Sequence, residues 1–313
     1  MSTALIFPGQ GSQYVGMGKC LSENFRESKE IFQRVDEALQ ENLSKLIWHG
    51  SEAELKLTQN TQPALMAMSM AAIAAAKAEG FNFKDVTYVA GHSLGEYSAL
   101  CFANGLELED AAKILRRRGL AMQDAVPQGL GGMAAIIGLD INTVHETLAS
   151  LSSGEVCEVA NDNDPRQVVI SGNLDKVKEA MLKLKDSGAR RTILLPVSAP
   201  FHCSLMEPAA GQMEELIMNL KVSSITIPLV SNVTAEEVLA TSDIKSLLVK
   251  QITHSVRWRE SMLYLSTCKV NNFIEFGAGK VLGGLIKRIL PQASILNVGN
   301  TKDIKNLMEV KLV

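Results

Sequence analysis

Between residues 86 and 103 an apolar, β-branched run ends in Gly91-His92-Ser93-Leu94-Gly95, and a helix-forming run starts at once. Gly-x-Ser-x-Gly between a strand and a helix is the setting in which a serine becomes a nucleophile on a sharp turn. The flanking glycines are needed because so tight a turn leaves no room for side chains beside the serine. Such a turn lifts the Ser93 hydroxyl off the sheet edge. It also aims the Leu94 amide and the new helix's N-terminus at one point, where backbone N–H groups hold an oxyanion. Nucleophilic acyl chemistry is what this arrangement serves.

A serine nucleophile needs a base, and the chain has five histidines. His145 falls within a helix and reads as solvated, while His49 and His254 lie near helix ends and read as structural. His92 adjoins Ser93, but neighbours on a strand point to opposite faces, which places it poorly as the base. His202, in Pro200-Phe201-His202-Cys203, lies where a middle segment rejoins the body of the chain. Spacing ranks it a little ahead of His254 and no further. Three arginines, Arg116, Arg117 and Arg118, follow on the next helix. Arg118 shares a face with Ile114, Leu115 and Met122, the apolar side. Arg117 lines up with Asp110, Lys113 and Asp124, and Arg116 and Arg117 read as a solvated patch. An arginine on a buried face needs an anionic partner. None is evident nearby, which leaves a structural carboxylate and a substrate carboxylate both open.

The composition excludes several classes. A formal net charge of −3 over 313 residues argues against general nucleic-acid binding. Five cysteines without a Cys-x-x-Cys pair read as reduced thiols, in keeping with a cytoplasmic setting. The N-terminal stretch has no basic run before its short apolar segment and does not read as a secretory signal. The apolar, Met/Ala-rich run over 63–78 is too short to span a bilayer and reads as a buried helix. Gly9-Gln10-Gly11 follows a strand, but Tyr14 stands where a dinucleotide fingerprint needs its third glycine. Gly279-Lys280 is followed by Val281, not Ser or Thr, so it is no phosphate loop. With neither His-Glu-x-x-His nor a Cys/His cluster, no metal is expected.

Strands alternating with helices predict an α/β protein with a largely parallel sheet. Strands are expected over 4–7, 227–231, 272–276 and 295–298, besides the one that ends at Gly91. Helices are expected over 21–39, 63–80, 96–103, 109–125, 205–220, 244–252 and 257–266, with one more ending at 289. The middle segment has its own rhythm. Strands over 133–137, 156–160, 168–171 and 191–195 alternate with helices capped by Asp140 and Asn173. That order, β-α-β-β-α-β, is the split ferredoxin-like unit. Asn161-Asp162-Asn163-Asp164-Pro165 reads as its polar turn. The expected architecture is therefore a discontinuous large domain, 1–126 and 197–313, with a small ferredoxin-like α+β subdomain, 127–196, inserted. The seam between the two is where a site is expected.

Phe7-Pro8-Gly9-Gln10-Gly11-Ser12-Gln13, Thr61-Gln62-Pro63-Ala64, Gly91-His92-Ser93-Leu94-Gly95-Glu96 and Arg118 together resemble the malonyl-CoA:acyl carrier protein transacylases. The likeness continues through 167–172, Pro200-Phe201-His202, Gln251 and Val256-Arg257-Trp258, so it covers essentially the whole chain. The resemblance implies a hydrolase-like α/β domain carrying the ferredoxin-like insert. It implies malonyl transfer from a CoA thioester to the phosphopantetheine thiol of acyl carrier protein, in fatty-acid synthesis, with no cofactor, membrane or nucleic-acid partner. A cytoplasmic monomer is the expected form. Carried over by motif, Ser93 is the nucleophile, His202 its base, and the amides of Gln10 and Leu94 the oxyanion hole. Arg118 would bind the malonyl carboxylate, with Gln251, His92, Met122 and Phe201 also at the substrate. A backbone carbonyl near Gln251 would orient the histidine in place of an acid. Arg190, Arg191, Lys287 and Arg288 are candidate contacts for an acidic carrier. A serine thioesterase shares the elbow but requires an acid partner for the histidine. A non-catalytic carrier-binding scaffold has no use for Ser93, His202 and Arg118 together.

Overall fold

The computed structural model describes residues 2–151, 154–197 and 199–309; the outer limits of the expected large domain, residues 1 and 310–313, lie outside them. Its strands are β1 (Ser2–Phe7), β2 (Val86–Gly91), β3 (Gly131–Ile137), β4 (Cys157–Asp164), β5 (Gln167–Asn173), β6 (Arg191–Leu194), β7 (Leu229–Val230), β8 (Glu237–Val238), β9 (Val270–Phe276) and β10 (Ser294–Val298). Six of them form one sheet in the order β10-β9-β1-β2-β7-β8. Every pairing in it is parallel except β7 with β8. The central strands are apolar on both faces, as a parallel sheet covered on both sides requires. Leu5 and Phe7 point into one core with the helices Thr58–Ala78 and Leu108–Asp124, whereas Ala4 and Ile6 point into another with Trp258, Met262 and Ile286.

The second sheet is antiparallel, in the order β4-β5-β3-β6, with helices Ile141–Ala149 and Leu174–Asp186 packed on it. The architecture is a mixed α/β one, with the ferredoxin-like strand order in the small sheet. Asp140 caps its helix by accepting from the Thr143 N–H at 3.0 Å. Asn173 does not cap; its Oδ1 accepts from the Val156 N–H at 2.8 Å and ties down the start of β4 instead.

The polar run 161–164 is not the turn that its composition suggests. It is the second half of β4, and all four side chains are buried. The reason lies far away in sequence. The free edge of β4 pairs with residue 256, the Asp162 N–H donating to Val256 O at 3.0 Å and the Val256 N–H to Ala160 O at 2.8 Å. Arg259 grips Asp162 at 2.8 Å and Arg288 grips Asp164 at 2.6 Å. Two strand–helix seams are thus latched by buried carboxylates.

The long helix Thr58–Ala78 is buried nearly all round, and among the described residues no helix is long and apolar enough to cross a membrane. It begins five residues before Pro63, whose ring removes one backbone N–H and frees the Gln59 carbonyl. Arg116 Nη1 donates to that carbonyl at 2.7 Å, and its Nη2 pairs with Glu41 at 2.7 Å. Arg116 is therefore a helix-repair residue and not part of a solvated patch; Arg117 is exposed. Gly119 lets the two helices touch, since a Cβ there would lie 2.5 Å from Gln59 Cα. The expected helix over 21–39 breaks at Phe25, which is extended, into Lys19–Asn24 and Arg26–Leu39. Helices Glu52–Lys56 and Thr301–Glu309 and strand β8 were not expected from the sequence, and the helix end expected near His49 is that of Leu43–His49.

Arg259→Ala leaves Asp162 buried without its cation. Breaking a fully buried pair costs about 3–5 kcal/mol; Arg259 keeps some contact with water, so a loss on the order of 2 kcal/mol is expected. Burial already raises the Asp162 carboxyl above its ordinary value, and losing Arg259 raises it further. The folded state then binds a proton that the unfolded chain does not, so the deficit should narrow as the pH falls through the raised value. Urea unfolding of both proteins at pH 8 and pH 5 measures it; an unchanged deficit contradicts the latch.

Candidate active site

The turn after β2 is strained where the nucleophile elbow requires strain. Ser93 has φ +53°, in the left-handed region. A Cβ on Gly91 would lie 1.9 Å from the Gly95 carbonyl carbon, and one on Gly95 would lie 2.2 Å from Phe7 O. Both glycines are therefore steric necessities. Asn232 brackets the turn, its Oδ1 accepting from the Ser93 N–H at 2.7 Å and its Nδ2 donating to Gly91 O at 2.7 Å. The loop after β1 packs on the elbow, for a Cβ on Gly9 would lie 2.6 Å from His92 O. Among the described residues, the Gln10 and Leu94 amides have no acceptor.

The seam brings His202 to Ser93. His202 is buried, with φ +59°, and its Nε2 lies 2.8 Å from Ser93 Oγ. Its Nδ1 lies 2.8 Å from the backbone carbonyl oxygen of Gln251. A carbonyl only accepts, so Nδ1 carries the proton and the Nε2 lone pair faces the serine. Burial, then the charge of Arg118, pushes this imidazole down to about 3. His254 is exposed and bonds the Lys250 carbonyl at 2.8 Å; His49 and His145 are exposed as well. His92 turns the other way, its Nε2 2.9 Å from Asn163 Oδ1 and its ring 5.7 Å from that of Trp258.

Arg118 is 1% exposed. Its Nη2 lies 3.2 Å from Ser93 Oγ and 2.8 Å from Gln251 Oε1, and its Nη1 lies 2.8 Å from Gln62 Oε1. Both amide partners are neutral, and its buried Nε–H has no partner among the described residues. Burial lowers the guanidinium from its ordinary value. Met122, one turn further on, places its Sδ 3.8 Å from Gln62 Nε2. Phe201 is buried beside His202.

Two residues that hold this arrangement escaped the sequence reading. Asn232 carries no local signal. Glu96 stands in the quoted motif, where an acid in an otherwise buried helix is itself unusual. Its Oε2 accepts from Gln251 Nε2 at 2.6 Å and from the Asn232 N–H at 3.2 Å, and burial pushes its carboxyl up to about 7. Of the basic residues considered for a carrier, Arg190 and Arg191 are exposed. Arg288 is committed to Asp164, and Lys287 donates to Pro291 O at 2.6 Å.

Residues 4–303 match the family model described as acyl transferase domain. The chain is 41% identical over 303 residues to the malonyl CoA-acyl carrier protein transacylase of Bacillus subtilis, covering 96% of this chain and 95% of the relative. The chain belongs to the malonyl-CoA:acyl carrier protein transacylase family. The Haemophilus influenzae transacylase is 40% identical over 306 residues, 98% of each chain. Among solved structures, the acyl-carrier-protein-S-malonyltransferase of Bartonella henselae aligns with a TM-score of 0.96 at 46% identity, covering 99% of both chains. A malonyl-transacylase in complex with its type II polyketide synthase acyl-carrier protein aligns with a TM-score of 0.96 at 36% identity, again over 99% of both.

An imidazole lowered this far stays deprotonated as the pH falls through about 6.5, where an ordinary histidine would be lost as a base. Labelling of Ser93 by an organophosphonate should therefore hold its rate down to about pH 5. An acid limb centred near pH 6.5 contradicts the assigned environment of His202.

Proposed function

We propose that this chain transfers the malonyl group of malonyl-CoA to the phosphopantetheine thiol of an acyl carrier protein, through a malonyl-Ser93 intermediate, in fatty-acid chain elongation. The observation that carries this reading is Arg118, a buried cation whose two carboxamide partners are neutral, 3.2 Å from the hydroxyl of a serine bonded to a histidine. A thioester acyl group with a free carboxylate meets both features at once. The guanidinium takes the carboxylate while Ser93 reaches the carbonyl.

In the first half-reaction, His202 Nε2 takes the Ser93 proton as Oγ adds to the thioester carbon. The Gln10 and Leu94 amides hold the oxyanion, the interaction that strengthens most on the way to the tetrahedral intermediate. The C–S bond then breaks, and CoA leaves as the thiol with the proton from His202. In the second half, the carrier's thiol gives its proton to His202 and adds to the malonyl-serine ester. Collapse returns the proton to Ser93. Atoms balance without a cofactor or a metal, and the kinetics are ping-pong. Met122 and Phe201 bound the acyl pocket in this reading, His92 backs the elbow, and Arg190 and Arg191 offer the acidic carrier a basic edge. The donor is a CoA thioester and the acceptor a carrier-borne thiol, which suits a cytoplasmic enzyme. The thioesterase alternative is disfavoured because His202 Nδ1 meets a carbonyl and not a carboxylate.

Arg118→Ala should lower kcat/KM for malonyl-CoA on the order of 10²-fold, since a charge-assisted pair in a buried pocket is costly to lose. Acetyl-CoA lacks the carboxylate, so its kcat/KM should hold or rise. Equal losses for both thioesters would make Arg118 a structural residue.

His202→Ala should lower Ser93 acylation by about 10²–10⁴-fold, the usual range for losing a general base. His254→Ala should change it little. Stopped-flow release of CoA thiol compares them, and the reverse ranking contradicts the assignment of the base.

A further inference from the structure

The mechanism engages Ser93, His202, Gln251 and Arg118 and leaves a fully buried acid beside them, Glu96, without a task. Glu96 is 1% exposed and lies in the first turn of helix Gly95–Phe102, three residues after the nucleophile. No cation touches it within the described residues; it holds the Gln251 carboxamide at 2.6 Å and the Asn232 N–H at 3.2 Å. Both of those partners reach back to the nucleophile. Asn232 grips Gly91 O and the Ser93 N–H. Gln251 donates through Nε2 to Ser93 O at 3.0 Å, accepts from Arg118 through Oε1 and orients His202 through its backbone carbonyl.

A carboxamide has a donor end and an acceptor end, and a buried one must be aimed. The Glu96 carboxylate and the Ser93 carbonyl are acceptors, so together they hold Nε2 on their side and turn Oε1 to Arg118. Turned over, the same carboxamide would set its oxygen against two acceptors and its NH2 against a guanidinium donor. In a dry site such mismatches are expensive.

We propose that Glu96 is the positioning residue of the acyl-carboxylate pocket: through Gln251 it fixes the Arg118 guanidinium in the plane that selects a malonyl over an acetyl thioester. This rests on the transfer reading above. It assigns Glu96 no contact with reacting atoms, and the aim of one carboxamide sets substrate choice.

Glu96→Gln keeps an acceptor oxygen of the same reach, and Glu96→Leu keeps the volume without it. Loss of one buried hydrogen bond is worth about tenfold. Glu96→Leu should therefore lower kcat/KM for malonyl-CoA by about tenfold, mostly in KM, and leave acetyl-CoA within about threefold. Glu96→Gln should restore the malonyl preference to within about threefold of the parent. On an Arg118→Ala background, Glu96→Leu should leave the malonyl-to-acetyl ratio unchanged, because its effect runs through that arginine. A Glu96→Leu enzyme that slows both thioesters alike, or keeps its effect without Arg118, overturns the proposal. So does Glu96→Gln behaving as badly as Glu96→Leu, which would make the charge and not the aim decisive. Should Glu96→Leu fail to melt cooperatively, Glu96→Met takes its place. A parent enzyme with no malonyl preference at all refutes the transfer reading instead, and is recognised before any Glu96 variant is made.

Discussion

A guanidinium with almost no access to water sits 3.2 Å from the Ser93 hydroxyl, and among the described residues no carboxylate rests on it. Burying such a charge costs several kcal/mol unless polar partners replace its hydration. Two neutral carboxamides, Gln62 and Gln251, do part of this, and the Tyr97 ring lies 5.7 Å from the guanidinium carbon. Much of the surrounding structure serves to keep the cation there. Gly119 allows helix Leu108–Asp124 to lie close against helix Thr58–Ala78, which brings Gln62 within reach. Arg116 repairs the helix where Pro63 interrupts it, one residue after Gln62. In the proposed reading, a site built around an incompletely compensated cation is prepared for an anion that arrives with the substrate.

The same charge shapes the base. Burial, and then Arg118, keep the His202 imidazole neutral and weakly basic, while the Gln251 carbonyl fixes its tautomer without adding negative charge. A buried Asp in that position would stabilise the imidazolium and make a stronger base. The weaker base suits a transferase. Thiols ionise at about 8.5, whereas bulk water ionises at about 15.7, so a feebly basic imidazole helps a thiol attack far more than it helps water. With His202 as the proposed base, acyl transfer in preference to hydrolysis would follow from the choice of a carbonyl over a carboxylate.

What was legible in the sequence was local. The elbow announces itself because its steric demands fall within five consecutive residues, and the buried face of Arg118 shows in 3.6-residue periodicity against Leu115 and Met122. The parallel strands showed in their uninterrupted apolar runs. The polar stretch 161–164 did not read as a strand, because its charges are matched by Arg259 and Arg288, about a hundred residues away. Asn173 offered a cap by type and spacing, but the approach of Val156 gave its oxygen another donor. Spacing set His202 only a little ahead of His254, since the return of the chain across the seam is what decides which ring meets Ser93. Asn232 was silent for the same reason: an asparagine after a short strand is ordinary until the elbow packs on it.

The central claim is that Ser93 carries a malonyl group between two thiols and shields it from water. Intact-mass analysis of the enzyme after brief exposure to malonyl-CoA, with peptide mapping, tests it most directly when followed by a chase. A malonyl adduct on Ser93 that persists in buffer, and is discharged on adding carrier protein bearing phosphopantetheine, is the predicted result. An adduct that decays to free malonate equally fast with or without the carrier, or no adduct on Ser93, would contradict the account.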